Sequence, residues 1–277
     1  MIQEVIQSYF NKDADEVIYI PTGITNRNYR VTVDNENYVI RIPYPDSDHI
    51  VNRNNEAVIL DLIKQHQLDA PLEYYDPTSG IKITQYIEHV QHFDEVDDPN
   101  KYKRVALMMR KLHDLQIESG VFFDPIEKLS EYASHIKTPL YDVTFATSVS
   151  EKIRLYQGKK ILCHNDWVNG NMLFTPSRMY LIDYEYAGDN HPLFDVMSFL
   201  TENSIMDTQK RNQFYLSYFG YVPEGKLKED LDLFEAFSNL LWCTWAMMMY
   251  EQRNEDIFHT IATMKYEALC HNIKQTG

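Results

Sequence analysis

Nine residues, CHNDWVNGN from Cys163 to Asn171, set a histidine, an aspartate and three asparagines between apolar segments, Ile161-Leu162 on one side and Met172-Leu173-Phe174 on the other. Short apolar runs bounded by polar residues read as buried strands. A chain that joins two such strands through so polar a loop either lays the loop on its surface or aims its side chains into a cleft. The nine residues alone fit a surface loop equally well, so the rest of the sequence has to decide.

A length of 277 residues allows one large domain or two lobes sharing a cleft, with ample material for a core. A hydrophobic content of 44% with 24% charged residues is that of an ordinary globular chain. The formal charge of -15 argues against a nucleic-acid-binding surface, which needs clustered Lys and Arg, and would suit a cationic ligand. Cys163, Cys243 and Cys270 form no paired framework and show no metal-ligand spacing, which points to a reducing, cytoplasmic setting. The opening MIQEVIQSYF carries Glu4 and no basic flank, unlike a signal peptide, and the longest apolar stretch, LLWCTWAMMMY, is too short to span a bilayer. No membrane insertion is expected. The oligomeric state stays open, a homodimer included.

Along the chain, residues 2 to 11 read as a short amphipathic helix. EVIYIP, NYRVTVD and NYVIRIP read as strands, the last two joined by the turn DNEN. Helical spacing is expected over residues 52 to 66, and GIKITQYI reads as another strand. After DEVDDPN the pattern turns helical. Segment 100 to 118 places Leu107, Met108, Leu112 and Leu115 on one side. KILC and MYLID read as strands flanking the polar loop, and helices run from about His191 to the end. The expected fold is α+β and two-lobed: a small antiparallel sheet lobe over residues 1–87, a larger, mostly helical lobe over 88–277, and a hinge from Gln85 to Glu88.

Asp166 and Asn171 lie five apart, and Asp183 ends the apolar run YLID. Taken singly, Asp166 and Asn171 would serve as turn caps and Asp183 as a helix cap. Taken together, an Asp that accepts a hydroxyl proton and an Asn–Asp pair that grips Mg²⁺ suit phosphoryl transfer. H-x-D, an Asn five residues after that Asp, and an apolar strand ending in Asp form the arrangement of kinase catalytic and metal loops. His164, Asp166, Asn171 and Asp183 fill it. PTGITNRNYRV supplies a strand–turn–strand whose backbone N–H groups from Thr22 to Asn28 (Gly23, Thr25 and Asn26 between them) could cover phosphates, although the G-x-G-x-x-G pattern is absent. Arg41, mid-strand in YVIRIP, needs an anion unless it points to solvent; Glu56 on the next helix is a candidate partner.

TGITNRNYRV, YVIRIP, NRNNE, CHNDWVNGN, YLIDYEYAG and FDV occur in that order. In these motifs the chain resembles the choline/ethanolamine kinase branch of the aminoglycoside-phosphotransferase-like kinases. It is most similar to bacterial choline kinases that feed phosphocholine decoration of surface polysaccharides. The likeness runs over roughly residues 15 to 270 and implies a protein-kinase-like fold using ATP and Mg²⁺. By that resemblance Asp166 is the catalytic base, Asn171 and Asp183 are magnesium ligands, and Arg41 is the ATP-phosphate contact, in place of the usual lysine. Gln85 to Ile87 match the hinge that meets adenine through backbone groups. Asp195 matches a residue bracing the catalytic loop, and His164 is a second brace.

The acceptor is read from NLLWCTWAMMMYEQ. Trp242 and Trp245 are three apart and share a helical face. Tryptophan faces attract a quaternary ammonium, whereas a Trp–Met stripe also suits a core. The resemblance implies an ammonium pocket of Trp242 and Trp245, with Tyr186 lining it and Glu202 adding negative charge. Where eukaryotic relatives carry further tyrosines, this chain reads NSIMD and DIFHTIATMKY, so part of that box is replaced. The expected reaction is transfer of the γ-phosphoryl group of MgATP to choline, with ethanolamine, thiamine or an aminoglycoside as alternative acceptors and a non-catalytic nucleotide- or choline-binding protein as the alternative of another class.

Overall fold

A computed structural model describes residues 1–21, 26–44 and 52–276, without the side chains of the last two. Helix α1 (Ile2–Phe10) precedes β1 (Glu16–Ile20), β2 (Asn26–Val33) and β3 (Glu36–Pro43), followed by α2 (Arg53–Ile63), β4 (Leu72–Tyr75) and β5 (Lys82–Gln85). These five strands form one antiparallel sheet in the order β1-β2-β3-β5-β4. The β2–β3 hairpin closes on Asp34 and Asn35, at φ 53° and 65°. Asp and Asn tolerate that left-handed region, which a two-residue hairpin turn requires. The register that follows pairs Val33 with Glu36 and Asn28 with Arg41. Strand alternation then buries Val31, Val33, Ile40 and Ile42 with Ile83 and, from α1, Ile6.

Helix α2 starts on Asn52, whose side chain accepts from the N–H groups of Asn54 and Asn55. Its apolar stripe of Ile59, Leu60 and Ile63 joins the large core of the helical region rather than the small core of the sheet. Each such side chain, when fully buried, stabilises by about 1.5–3 kcal/mol. Helix α2 thus belongs to both regions, since Glu56 on it meets Arg41 of β3 while its apolar stripe joins the large core.

The second region comprises α3 (Lys101–His113), α4 (Pro125–Ser134), α5 (Thr147–Leu155), α6 (Pro192–Glu202), α7 (Thr208–Tyr218), α8 (Gly225–Arg253) and α9 (Asp256–Thr276). Between α5 and α6 lie two small antiparallel pairs, β6 (Ile161–Cys163) with β9 (Gly188–Asn190) and β7 (Met172–Phe174) with β8 (Met179–Leu181). The helix expected over 100–118 stops at His113. Gln116 turns to φ 51°, and Ile117 accepts from the Leu162 N–H at 2.8 Å, so the β6 strand claims the last residues of that segment. Neither β4 nor β9 was expected, since LEYY and GDN lack a readable alternation. Among the described residues no helix is long and apolar enough to cross a membrane.

Candidate active site

The polar loop is built into the interior. β6 enters it and β7 leaves it, and Asn169–Asn171 form a single 3₁₀ turn between. Asp195, fully buried in the first turn of α6, accepts from the backbone N–H of His164 at 2.9 Å and of Asn165 at 2.7 Å. His113 Nε2 lies 3.0 Å from the same carboxylate. Those donors outweigh the desolvation that burial imposes, and hold the Asp195 carboxyl below its usual range. Asp195 is therefore the brace that the resemblance implied. His164 places Nε2 2.9 Å from the Ile182 carbonyl oxygen, and burial pushes its ring below the usual histidine range, so it stays neutral.

Two hydrogen bonds, one of them from a side chain, tie the loop to the strand after it and to the turn beyond. Ile182 N–H donates to the Asn171 carbonyl at 2.9 Å, and the Asn165 side chain donates to the Tyr186 carbonyl at 3.0 Å. Strand β8 ends at Leu181, two residues earlier than the sequence suggested. Asp183 sits beyond it at φ 68° and ψ 72°, capping the 3₁₀ turn Tyr184–Tyr186. Asp is among the few residues that visit this region without large strain. The Ile182 N–H bond to Asn171 is one more rung in the register of β7 and β8, and the left-handed backbone of Asp183 ends the ladder there.

The chemistry-bearing groups then meet. Asn171 Nδ2 donates to Asp166 Oδ2 at 2.8 Å and to its carbonyl at 3.1 Å, which turns the amide oxygen of Asn171 into the free ligand atom. Arg41 bridges the regions: Nη2 donates to Glu56 Oε2 at 2.7 Å and Nη1 to Asp183 Oδ1 at 2.8 Å. Tyr75 O–H donates to the same Glu56 oxygen at 2.9 Å. Arg41 is thus paired with Glu56, as the sequence suggested. Its Nε is buried without a hydrogen-bond partner.

Glu185 was not anticipated. It accepts from Asn26 Nδ2 at 3.2 Å, and its carboxyl is pushed up to about 8 by loss of water and by the charge of Asp183. The available signal was an acid two residues after Asp183 in an otherwise apolar and aromatic run. Asp166 is likewise pushed up to about 8, by loss of water and by the charges of Asp183 and Glu202. Oxygen donors with this much crowded negative charge fit a hard divalent cation, which Asn171 and Asp183 could hold.

That crowding sets a pH dependence. An acid raised in the folded state keeps its proton where the unfolded chain, near 3.8, has lost it, so stability falls as pH rises toward about 8. His164 and His191, lowered by burial, act in the opposite sense, but above about pH 7 an unfolded-state histidine is neutral too and contributes no slope. Without divalent cation, the thermal midpoint is expected to fall between about pH 7 and 8, and saturating Mg²⁺ is expected to flatten that fall. Scanning fluorimetry across this range checks it; a flat or rising metal-free profile would show that these carboxylates are not crowded.

Some expected site residues lie elsewhere than the sequence suggested. Thr22, Gly23 and Thr25 fall outside the described residues. Asn26 and Asn28 belong to β2 rather than to the turn, and Asn28 is paired with Ile20 on one side and Arg41 on the other. Their backbone is engaged in the sheet. Gln85 ends β5, with its N–H on the Pro71 carbonyl at 2.9 Å, and Ile87 follows outside the sheet.

Tyr186, Trp242 and Trp245 do come together. Tyr186 meets Trp242 edge to face at 6.1 Å, Trp242 meets Trp245 at 5.9 Å, and Trp245 meets Phe258 of α9 at 5.7 Å. Both indole N–H groups are buried without partners. Trp242 is in the core, and Trp245 is half-buried beside it. Glu202, which the resemblance implies adds negative charge to the pocket, is ion-paired: Lys265 Nζ donates to its Oε1 at 2.6 Å.

The family model for choline/ethanolamine kinases matches residues 17–269. The chain belongs to the choline/ethanolamine kinase family. Protein LicA of Haemophilus influenzae is 25% identical over 252 residues, covering 83% of this chain and 72% of that protein. Human ethanolamine kinase 2 is 22% identical over 271 residues, covering 84% and 69%. The crystal structure of choline kinase LicA from Streptococcus pneumoniae superposes with a TM-score of 0.82 at 24% identity, over 98% of each chain. The fold is accordingly the two-lobed kinase-like one. This choline/ethanolamine kinase family member is a phosphotransferase acting on an alcohol group.

Proposed function

We propose that the protein transfers the γ-phosphoryl group of MgATP to the hydroxyl of choline, giving phosphocholine and ADP. The observation that carries the choice of acceptor is the chain of aromatic faces from Tyr186 through Trp242 to Trp245, next to the acidic cluster around Asp166. A quaternary ammonium is held by such faces with about 2 kcal/mol or more when desolvated.

Asp166 takes the hydroxyl proton as the oxygen attacks phosphorus. Its Oδ2 is fixed by Asn171, which leaves Oδ1 to the substrate; in its ionised form, which a cation held beside Asp183 would favour, the raised affinity for protons makes it a stronger base than an ordinary carboxylate. Arg41, pinned by Glu56, supports the phosphates at the mouth between sheet and helices. Asn171 and Asp183 would hold Mg²⁺, which neutralises phosphate charge when bound. Little covalent work is asked of the protein beyond positioning and charge neutralisation.

A coupled ATPase assay with choline, ethanolamine, thiamine and kanamycin tests the reading. Choline should be the best substrate and should exceed its neutral carbon isostere, 3,3-dimethylbutanol, by about 30-fold in kcat/KM. Trp245→Ala should raise the KM for choline and leave that for ATP nearly unchanged. Equal use of the neutral isostere would make the tryptophans core packing and put the acceptor site elsewhere.

A further inference from the structure

Helix α9 buries one stripe, Phe258, Ala262 and Leu269, all without exposed surface. Lys265 falls on that stripe, three residues after Ala262 and four before Leu269, where an apolar side chain is the ordinary choice. Its side chain is 9% exposed, and its ammonium donates to the Thr201 carbonyl at 3.1 Å and to Glu202 at 2.6 Å. A lysine is buried this deeply only with a partner.

The partner belongs to the active site. Glu202 is one of the charges that raise Asp166, and the next residue, Asn203, donates to the carbonyl of Trp167 at 2.8 Å. Phe258, on the same stripe as Lys265, lies edge-on to Trp245. Glu202, one of the carboxylates that act on Asp166, therefore already holds an ammonium supplied by the protein.

We propose that Lys265 is a specificity-determining residue: it occupies Glu202 so that this carboxylate cannot favour substrates whose ammonium bears N–H groups. The inference rests on the amino-alcohol reading above. A primary ammonium can donate hydrogen bonds to a carboxylate, and such charge-assisted bonds are the strong ones. A quaternary ammonium has no N–H and gains chiefly from aromatic faces. With Glu202 occupied, the aromatic faces dominate and the quaternary ammonium keeps its advantage. With Glu202 released, the primary ammonium gains more.

Isothermal titration of Lys265→Met with ethanolamine, choline, tetramethylammonium and 3,3-dimethylbutanol tests this. Ethanolamine should tighten about tenfold, near the lower end of what a hydrogen bond to a charged group contributes. Choline and tetramethylammonium should tighten less, and the neutral alcohol should not change. Lys265→Gln, which removes the charge but keeps a donor for Glu202, should shift in the same direction by less, and guards against misfolding of the methionine variant. Adding Glu202→Gln to either variant should erase the gain. Folded variants in which ethanolamine gains nothing relative to choline overturn the proposal. Binding is read without turnover, so a wild-type protein that phosphorylates none of these alcohols sinks the choline reading, while the titrations still decide on Lys265.

Discussion

Asp166→Asn is expected to keep the fold and nucleotide binding and to lower kcat by about 10²- to 10⁴-fold, the usual contribution of a positioned general base. The substitution is close to isosteric, and an amide oxygen still accepts from Asn171 Nδ2, so the loop keeps its shape. What disappears is the carboxylate proposed to receive the proton. The variant also loses a carboxyl that the fold has pushed up to about 8, so above neutral pH its thermal midpoint should equal or exceed that of the wild type. This pairing of lower turnover with unimpaired stability separates a catalytic role from a structural one. Turnover near the wild-type rate would remove Asp166 from the role of base.

Asp183→Asn and Asp183→Ala are expected to lower Mg²⁺-supported turnover by about 10³-fold, in keeping with the several kcal/mol of charge stabilisation a bound metal supplies. The two variants differ in what else they remove. Asn keeps an acceptor for Arg41 Nη1 and tolerates φ near 68°, whereas Ala loses the acceptor and is strained there. Loss shared by both variants is therefore assigned to the metal, and any extra loss in Ala to Arg41 and the backbone. Asn171→Ala should be milder and partly rescued by Mn²⁺, since one neutral ligand is removed and the charged one stays. Wild-type turnover of Asp183→Asn at limiting Mg²⁺ would place the metal on other residues.

Much of this architecture is legible in the sequence because it depends on local period and turn chemistry. The β2–β3 hairpin follows from strand alternation on either side of Asp34-Asn35, which admit a left-handed turn. The catalytic loop is legible because its polar residues interrupt apolar strands at fixed spacing. Arg41 could be matched to Glu56 because a charged residue in the middle of an apolar strand needs a partner, and the next helix offers one.

Only the tertiary structure decides where charges close over long separations. Asp183 meets Arg41 across 142 residues, and Lys265 meets Glu202 across 63. No periodicity encodes such pairs, since each side chain obeys its own element. Lys265 reads as an exposed lysine on a helix until packing shows that its stripe faces inward. The same holds for α3, whose end is set by β6 competing for Ile117, and for Glu185, which becomes crowded only when Asp183 turns back beside the loop. The sequence by itself determined which groups could do chemistry, because residue type and spacing carry that information. Which of those charges stand free and which are already neutralised was decided by folding, because desolvation and pairing depend on neighbours that the chain order does not place together.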